Sequence, residues 1–225
     1  MSINPPLLLR GISLWRRDDP DRVPLFAPVS IEIAAGSFAL VRGPSGVGKS
    51  ALLAAIAGVP APVFQLAGQV LLGGRELSGL PPQKRRIGLM FQQDLLFPHF
   101  TATENIAFGL PVGLSRRARH ARAKAILAAV DMAAFAARYP DQLSGGQRAR
   151  IALLRALAAE PDAILLDEPF AHLDPVTRAR LRDWTVAQIT ARAIPALLVS
   201  HDREDSDIAT GPGLVLSATN QCPDR

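Results

Sequence analysis

A single cysteine, Cys222, stands near the end of the 225 residues, so no disulfide can close within the chain. That excludes a disulfide-stapled scaffold and fits a reducing compartment. No secretory leader is expected: residues 1–10 lack a basic start and offer only the short apolar run Leu7, Leu8, Leu9. A clean bilayer span is missing too. The longest uncharged stretch, residues 51–74, has the length for one, yet Pro60, Pro62, Gln65, Gln69 and several glycines interrupt it. It reads as a helix, a turn and a strand, so any membrane role runs through a partner. Lysine is scarce, with only Lys49, Lys84 and Lys124 among 25 basic residues. Against 20 acidic residues the net charge is +5. The surplus is either solvated arginine or an attraction to anionic surfaces. Apart from Arg116, Arg117, Arg119 and Arg122 the basic residues are scattered, so they form no stripe for nucleic acid. What remains is an ordinary globular mixture, 48% apolar and 20% charged. It excludes a disordered or collagen-like chain and can bury a sizeable core.

Strand and helix patterns alternate along the chain. Residues 29–33 alternate apolar and polar, as a half-buried strand does. Residues 38–41 are apolar and lead to Gly43, and residues 51–57 continue as a helix. Further strands are predicted at 66–72 and 86–90, and helices at 116–137 and 147–159. Residues 163–166 and 196–200 are apolar runs ending in polar residues, as buried parallel strands are. The alternation predicts an α/β fold with a partly parallel sheet, and the mostly helical middle is expected to be inserted between two halves of it.

Three local patterns carry chemistry. Gly43-Pro44-Ser45-Gly46-Val47-Gly48-Lys49-Ser50 fits GxxxxGK[ST] between an apolar strand and a helix. Glycines let successive N–H groups face phosphates, and the helix N-terminus adds its positive end. Lys49 is expected to reach the β- and γ-phosphates and Ser50 to ligate Mg²⁺. Asp167 and Glu168 end the apolar run 163–166 at the carboxyl edge of the sheet, where ligands bind. There Asp167 is expected to hold Mg²⁺ through water, and Glu168 to orient and deprotonate an attacking water. Leu143-Ser144-Gly145-Gly146-Gln147 precedes an amphipathic helix for which Ser144 is a good N-cap.

In this order, the phosphate loop, LSGGQ and the Asp-Glu strand resemble the ATP-binding subunit of an ABC transporter along nearly the whole chain. The resemblance implies a P-loop NTPase fold of the ABC ATPase type. Its mixed, mostly parallel sheet core carries an N-terminal antiparallel β region and an inserted helical subdomain. One ATP-binding domain is then expected over 1–225, with a core at 1–91 and 160–225 and the helical part at about 92–159. Position by position, Gln92 resembles the Q-loop glutamine that senses Mg²⁺ and the lytic water. Asp174 resembles the D-loop residue that crosses between subunits, and His201 the switch histidine at the γ-phosphate. Trp15 is the candidate for stacking on adenine; a surface or core tryptophan is the alternative, because residues 16–22 lengthen the loop behind it.

The family's arrangement implies two copies head to tail, with each ATP between the loop Gly43 to Ala51 of one and Leu143, Ser144, Gly145, Gly146 and Gln147 of the other. ATP then acts as glue, and its hydrolysis by Lys49, Gln92, Glu168 and His201 with Mg²⁺ on Ser50, Gln92 and Asp167 releases the pair. Permease subunits are expected near Leu95-Leu96-Phe97-Pro98-His99-Phe100, unless these residues pack inside the helical part. A substrate-binding protein acts indirectly, nucleic acid is not a partner, and the place is the cytoplasmic face of the inner membrane. The stretch 95–110 resembles importer subunits for thiamine, iron, molybdate or polyamines. An exporter or lipoprotein-release ATPase is the alternative, and a soluble repair or translation ATPase a further one. Against the latter, Gly43 and Leu143 lie 100 positions apart with no sustained heptads, and the chain has one cassette. No NKxD motif supports a GTP switch. Two departures stand out. Ala51 replaces the family's common threonine, which predicts weaker nucleotide binding, and His172 stands where small residues are common. Only 24 residues follow His201, so no C-terminal regulatory domain is expected within this sequence.

Overall fold

A computed structural model describes residues 5–171, 173–202 and 204–219. Cys222 and His172 lie outside the described residues. In chain order the elements are β1 (Leu7–Arg16), β2 (Val29–Ile33), β3 (Phe38–Arg42), α1 (Lys49–Ala57), β4 (Phe64–Leu72), β5 (Arg75–Glu76), α2 (Pro82–Arg85) and β6 (Ile87–Met90). There follow α3 (Ala102–Gly109), α4 (Arg116–Ala128), α5 (Gly145–Ala158), β7 (Ala163–Asp167), α6 (Pro175–Ala191), β8 (Ala196–Val199) and β9 (Gly213–Val215).

The strands sort into two sheets. One is parallel throughout, in the order β6-β7-β8-β3-β9; the other is antiparallel, β2-β1-β4-β5. Strand β7 is buried along its whole length, as is β8, because both faces of the parallel sheet are covered. Side-chain alternation divides those faces. Ala39, Val41, Leu165, Leu197 and Val199 join the cluster that includes α1 and the antiparallel sheet. Phe38, Leu40, Ile164, Leu166 and Leu198 join a second cluster under α5 and α6. A third cluster gathers α3, α4, Met132 and Leu143 around Ile151 and Leu154 of α5. Because Leu153 and Leu157 belong to the second cluster, α5 is shared by both.

Among the elements that differ from the sequence reading, three stand out. The apolar residues 7–9 open a ten-residue strand, β1, which continues past a bulge at Gly11. The bulge breaks the alternating pattern and hides the strand's second half. Helix α4 ends at Ala128 instead of 137, because the chain turns through Asp131 at φ 58° to bury Met132 fully. The longest helix, α6, was not anticipated: only Leu181, Thr185 and Ile189 of its 17 residues are buried, so its sequence carries little amphipathic signal.

Arg85 is the least expected part of the core. It is 5% exposed and donates to the carbonyls of Ala55 (3.1 Å), Ile56, Ser78 and Leu80 (each 2.8 Å). Two of these end α1, so the cation also sits at the negative pole of that helix. Burial pulls its pKa down from the usual arginine value. Arg85→Ala strands several buried carbonyls, and we expect a loss of about 3 kcal/mol, read as a melting point lower by roughly 6–12 °C. An unchanged melting point would remove this role.

Candidate functional site

The turn between β3 and α1 forms the loop Gly43 to Ser50. Gly43 lies at φ 150° and Gly48 at φ 105°. A side chain at Gly43 would meet the Leu216 carbonyl at 2.6 Å, and one at Gly48 would meet Phe26 at 3.3 Å. Conformation and space together reserve both places for glycine. Gly48 is the N-cap of α1 and has no side chain to close the helix end, so its N–H groups are available to an anion. Lys49 is 7% exposed, and its Nζ donates to the carbonyls of Gly43 and Pro44, each at 2.9 Å. Val47 is buried in the first cluster, so of the expected ATP residues it offers only backbone.

Asp167 ends β7 on the α1 side and is 3% exposed. Burial pushes its carboxyl up from the ordinary range, and a hydrogen bond with Ser50 opposes that shift. Glu168 adds to the rise, while Lys49 and His201 counter it. Glu168 leaves the strand at φ 50°. Gln92 Nε2 donates to Glu168 Oε2 at 3.3 Å, and His201 Nε2 lies 3.2 Å from Oε1. Ser45, Gly46, Gly48, Lys49, Ser50, Ala51, Gln92, Asp167, Glu168 and His201 line one cavity of about 320 Å³. Residues 43–50 on one side and 167, 168 and 201 on the other, at least 117 positions apart in the chain, thus meet because β3, β7 and β8 are neighbours in the parallel sheet.

The other expected site residues lie elsewhere. Ser144 caps α5: its hydroxyl accepts from the Gln147 N–H at 3.3 Å, and Gln147 Oε1 accepts from the Ser144 N–H at 2.9 Å. Ser144 and Gly145 are exposed, Leu143 is buried, and none of the five lines the cavity. Asp174 caps α6 by accepting from the Thr177 N–H at 3.0 Å, which holds its carboxyl below the ordinary range. Trp15 is half-buried on β1, paired with Gln65 and bridged to Pro24. It is not among the cavity residues; Phe26, two positions past Pro24, is the aromatic that packs on the loop at Gly48.

The segment 95–100 divides between interior and surface. Leu96 packs on the second and third clusters, whereas Leu95 is 54% exposed. Phe97 stacks edge-on against Phe108 (4.6 Å between ring centres), itself 59% exposed, and Arg155 lies 5.6 Å over the Phe97 ring. Asn105, fully buried, organises this turn and was missed in the sequence. It donates to the carbonyls of Phe97, Phe100 and Thr101 and accepts from the Phe97 N–H. An asparagine amid the apolar run of α3 was the available signal.

The family model for ABC transporters matches residues 26–171. The chain belongs to the ABC transporter family. This ABC chain is 44% identical over 179 residues to the sulfate/thiosulfate import ATP-binding protein CysA of Thermosynechococcus vestitus, covering 79% of this chain and 52% of that protein. It is 40% identical over 211 residues to the spermidine/putrescine import ATP-binding protein PotA of Pseudomonas fluorescens, covering 93% of this chain and 58% of that one. The chain therefore spans about half the length of the curated relatives it matches. Among solved structures it resembles the dimeric, post-hydrolysis ATP-binding cassette MJ0796 bound to ADP and Pi. The TM-score is 0.79 and the identity 29%, over 93% of this chain and 94% of that one. The expected fold class, with its parallel core and antiparallel region, is the one this ABC chain has. Among the described residues no helix is long and apolar enough to cross a membrane.

Proposed function

We propose that the chain is the ATP-binding and ATP-hydrolysing subunit of a membrane importer. The observation that carries this reading is the one cavity that gathers a loop lysine, a hydroxyl, a buried carboxylate, a second carboxylate, a glutamine and a histidine. Lys49 and the N–H groups opening α1 bind the β- and γ-phosphates. Ser50, Asp167 and Gln92 offer hard oxygen donors that fit Mg²⁺. Among the described residues no group of three or more His, Cys, Asp or Glu side chains can hold a metal alone. That suits an ion which reaches the site on nucleotide phosphates. When bound, Mg²⁺ supplies charge neutralisation on the phosphates. Glu168 takes the proton of the water whose oxygen attacks the γ-phosphorus, as the bond to the β–γ bridging oxygen breaks. Gln92 and His201 hold the Glu168 carboxylate from its two oxygens.

Ser144 and the start of α5 form a capped, exposed helix N-terminus that does not line the chain's own cavity. This supports a second copy that receives them on its ATP, with Asp174 crossing alongside. The dimeric cassette to which the fold is similar supports the same reading. The import names of the relatives support the direction of transport, at the cytoplasmic face of the membrane through permease subunits that a binding protein supplies. We place the permease contact at the exposed Leu95 and Phe108 beside the basic start of α4, within one domain whose helical part is 92–159.

Two assays test the proposal. The purified chain should release phosphate from ATP only when Mg²⁺ is present; Mg²⁺-independent release, or none from chain co-expressed with its permease, overturns it. Leu95→Asp should end co-purification with a membrane protein while Mg²⁺-dependent turnover persists, because Leu95 projects from the surface. Undiminished co-purification would move the contact elsewhere.

A further inference from the structure

Helix α6 starts one turn before an arginine that reaches two separate loops. The Arg178 N–H donates to the Asp174 carbonyl at 2.8 Å, in register with the helix. Its side-chain Nε donates to the Phe170 carbonyl at 3.3 Å. Phe170 lies two positions beyond Glu168, in the turn closed by the Ala171 N–H donating to the Glu168 carbonyl at 3.2 Å. The other side of the fork, Nη1, pairs with the Asp202 carboxylate, the neighbour of His201. That second loop is braced from below. The Asp202 N–H donates to Ser200 Oγ at 3.0 Å, and Ser200 Oγ donates to Asp205 Oδ2 at 2.5 Å, with both side chains buried. Glu168, Arg178, His201, Asp202 and Asp205 border a cavity of about 340 Å³.

One guanidinium thus ties down the two loops whose ends, Glu168 and His201, meet at 3.2 Å. We infer that Arg178 is a positioning residue, fastening the loop after Glu168 to the loop after His201 and both to the start of α6. This rests on the reading of Glu168 and His201 given above. The rigid fork makes two contacts in different directions, which a lysine ammonium at this place cannot reproduce. The separation of the carboxylate and the imidazole is then set by α6, whose N-cap is Asp174.

The test uses the full chain with its permease, comparing Arg178→Met, Arg178→Lys and Asp202→Asn. We expect Arg178→Met to lower kcat by about tenfold or more while ATP affinity stays within about twofold, since the phosphate loop is untouched. Arg178→Lys should recover part of kcat and Asp202→Asn should fall between. Hydrogen exchange gives a reading that does not pass through activity. In Arg178→Met and Arg178→Lys, amides at 168–171 and at 200–202 should exchange faster together, with α1 unchanged. Wild-type kcat in Arg178→Lys, faster exchange in one loop alone, or equal losses of affinity and kcat would overturn the inference. Should Arg178→Met fail to fold, the lysine and Asp202 variants decide. If Glu168→Gln turns over normally, the reading of Glu168 has failed, and the linked exchange of the two loops is judged separately.

Discussion

Glu168→Gln should bind ATP and all but cease to hydrolyse it. The substitution keeps the size of the side chain and its ability to accept from Gln92, 3.3 Å away. It removes the negative charge and the capacity to take a proton, and it leaves one acceptor oxygen where Gln92 and His201 use two. A positioned general base contributes about 10²- to 10⁴-fold, so kcat should fall by at least about a hundredfold. Affinity should hold, because Lys49 and the start of α1 are untouched. ATP that cannot be consumed should also keep two copies together, visible as a dimer in gel filtration with Mg²⁺ and ATP. Turnover near the wild-type rate would show that another group accepts the proton. Loss of the dimer with ATP still bound would separate the base from the clasping of nucleotide between copies.

Lys49→Ala should lose the nucleotide. Lys49 is 7% exposed, and among the described residues its ammonium donates to the carbonyls of Gly43 and Pro44, each at 2.9 Å. Such a cation has no acid to neutralise it within the loop and gains most from an incoming phosphate. Hydrogen bonds to charged groups are worth about 1.5–3 kcal/mol each, which predicts a loss of affinity of roughly 10- to 100-fold or more. A fluorescent ATP analogue titrated in low salt would read it. A melting curve belongs beside it, since the two freed carbonyls are part of the loop. Retained micromolar affinity in a folded Lys49→Ala would remove the phosphate-loop reading. Ala51 lines the same cavity with no hydroxyl to offer, so Ala51→Thr is expected to tighten binding modestly.

The parts of this molecule that were legible in the sequence are those in which neighbours in the chain are neighbours in space. The loop from Gly43 to Ser50, the acids ending the buried run before Asp167, and the Ser144 cap each announce themselves within a few positions. Strands β3, β7 and β8 were legible because burial on both faces leaves continuous apolar runs. What was hidden depends on distant partners. Arg85 reads as one more arginine in Lys84-Arg85-Arg86, and nothing local says that the C-terminal end of α1 will meet it. The second half of β1 is masked by the bulge at Gly11, and α6 by its few buried positions. Trp15, the aromatic expected at the nucleotide, does not line the cavity, and the ring packed on the loop at Gly48 is that of Phe26. The bridge from Trp15 to Pro24, which brings that ring back, could not be read from the alternation of residues.

The position of α5 has a mechanical consequence. Arg155 donates from this helix to the carbonyls of Asp94 and Leu95, and Arg148 pairs with the Asp94 side chain at 3.1 Å. The surface around Leu95 is therefore fastened to the 14-residue helix α5, about 21 Å long, at two places, Arg155 near one end and Arg148 within about one turn of Ser144 at the other. The Arg148 guanidinium joins the Asp94 side chain to the Leu143 carbonyl beside the serine cap, so whatever load falls on the exposed Leu95 has a direct side-chain route to Ser144.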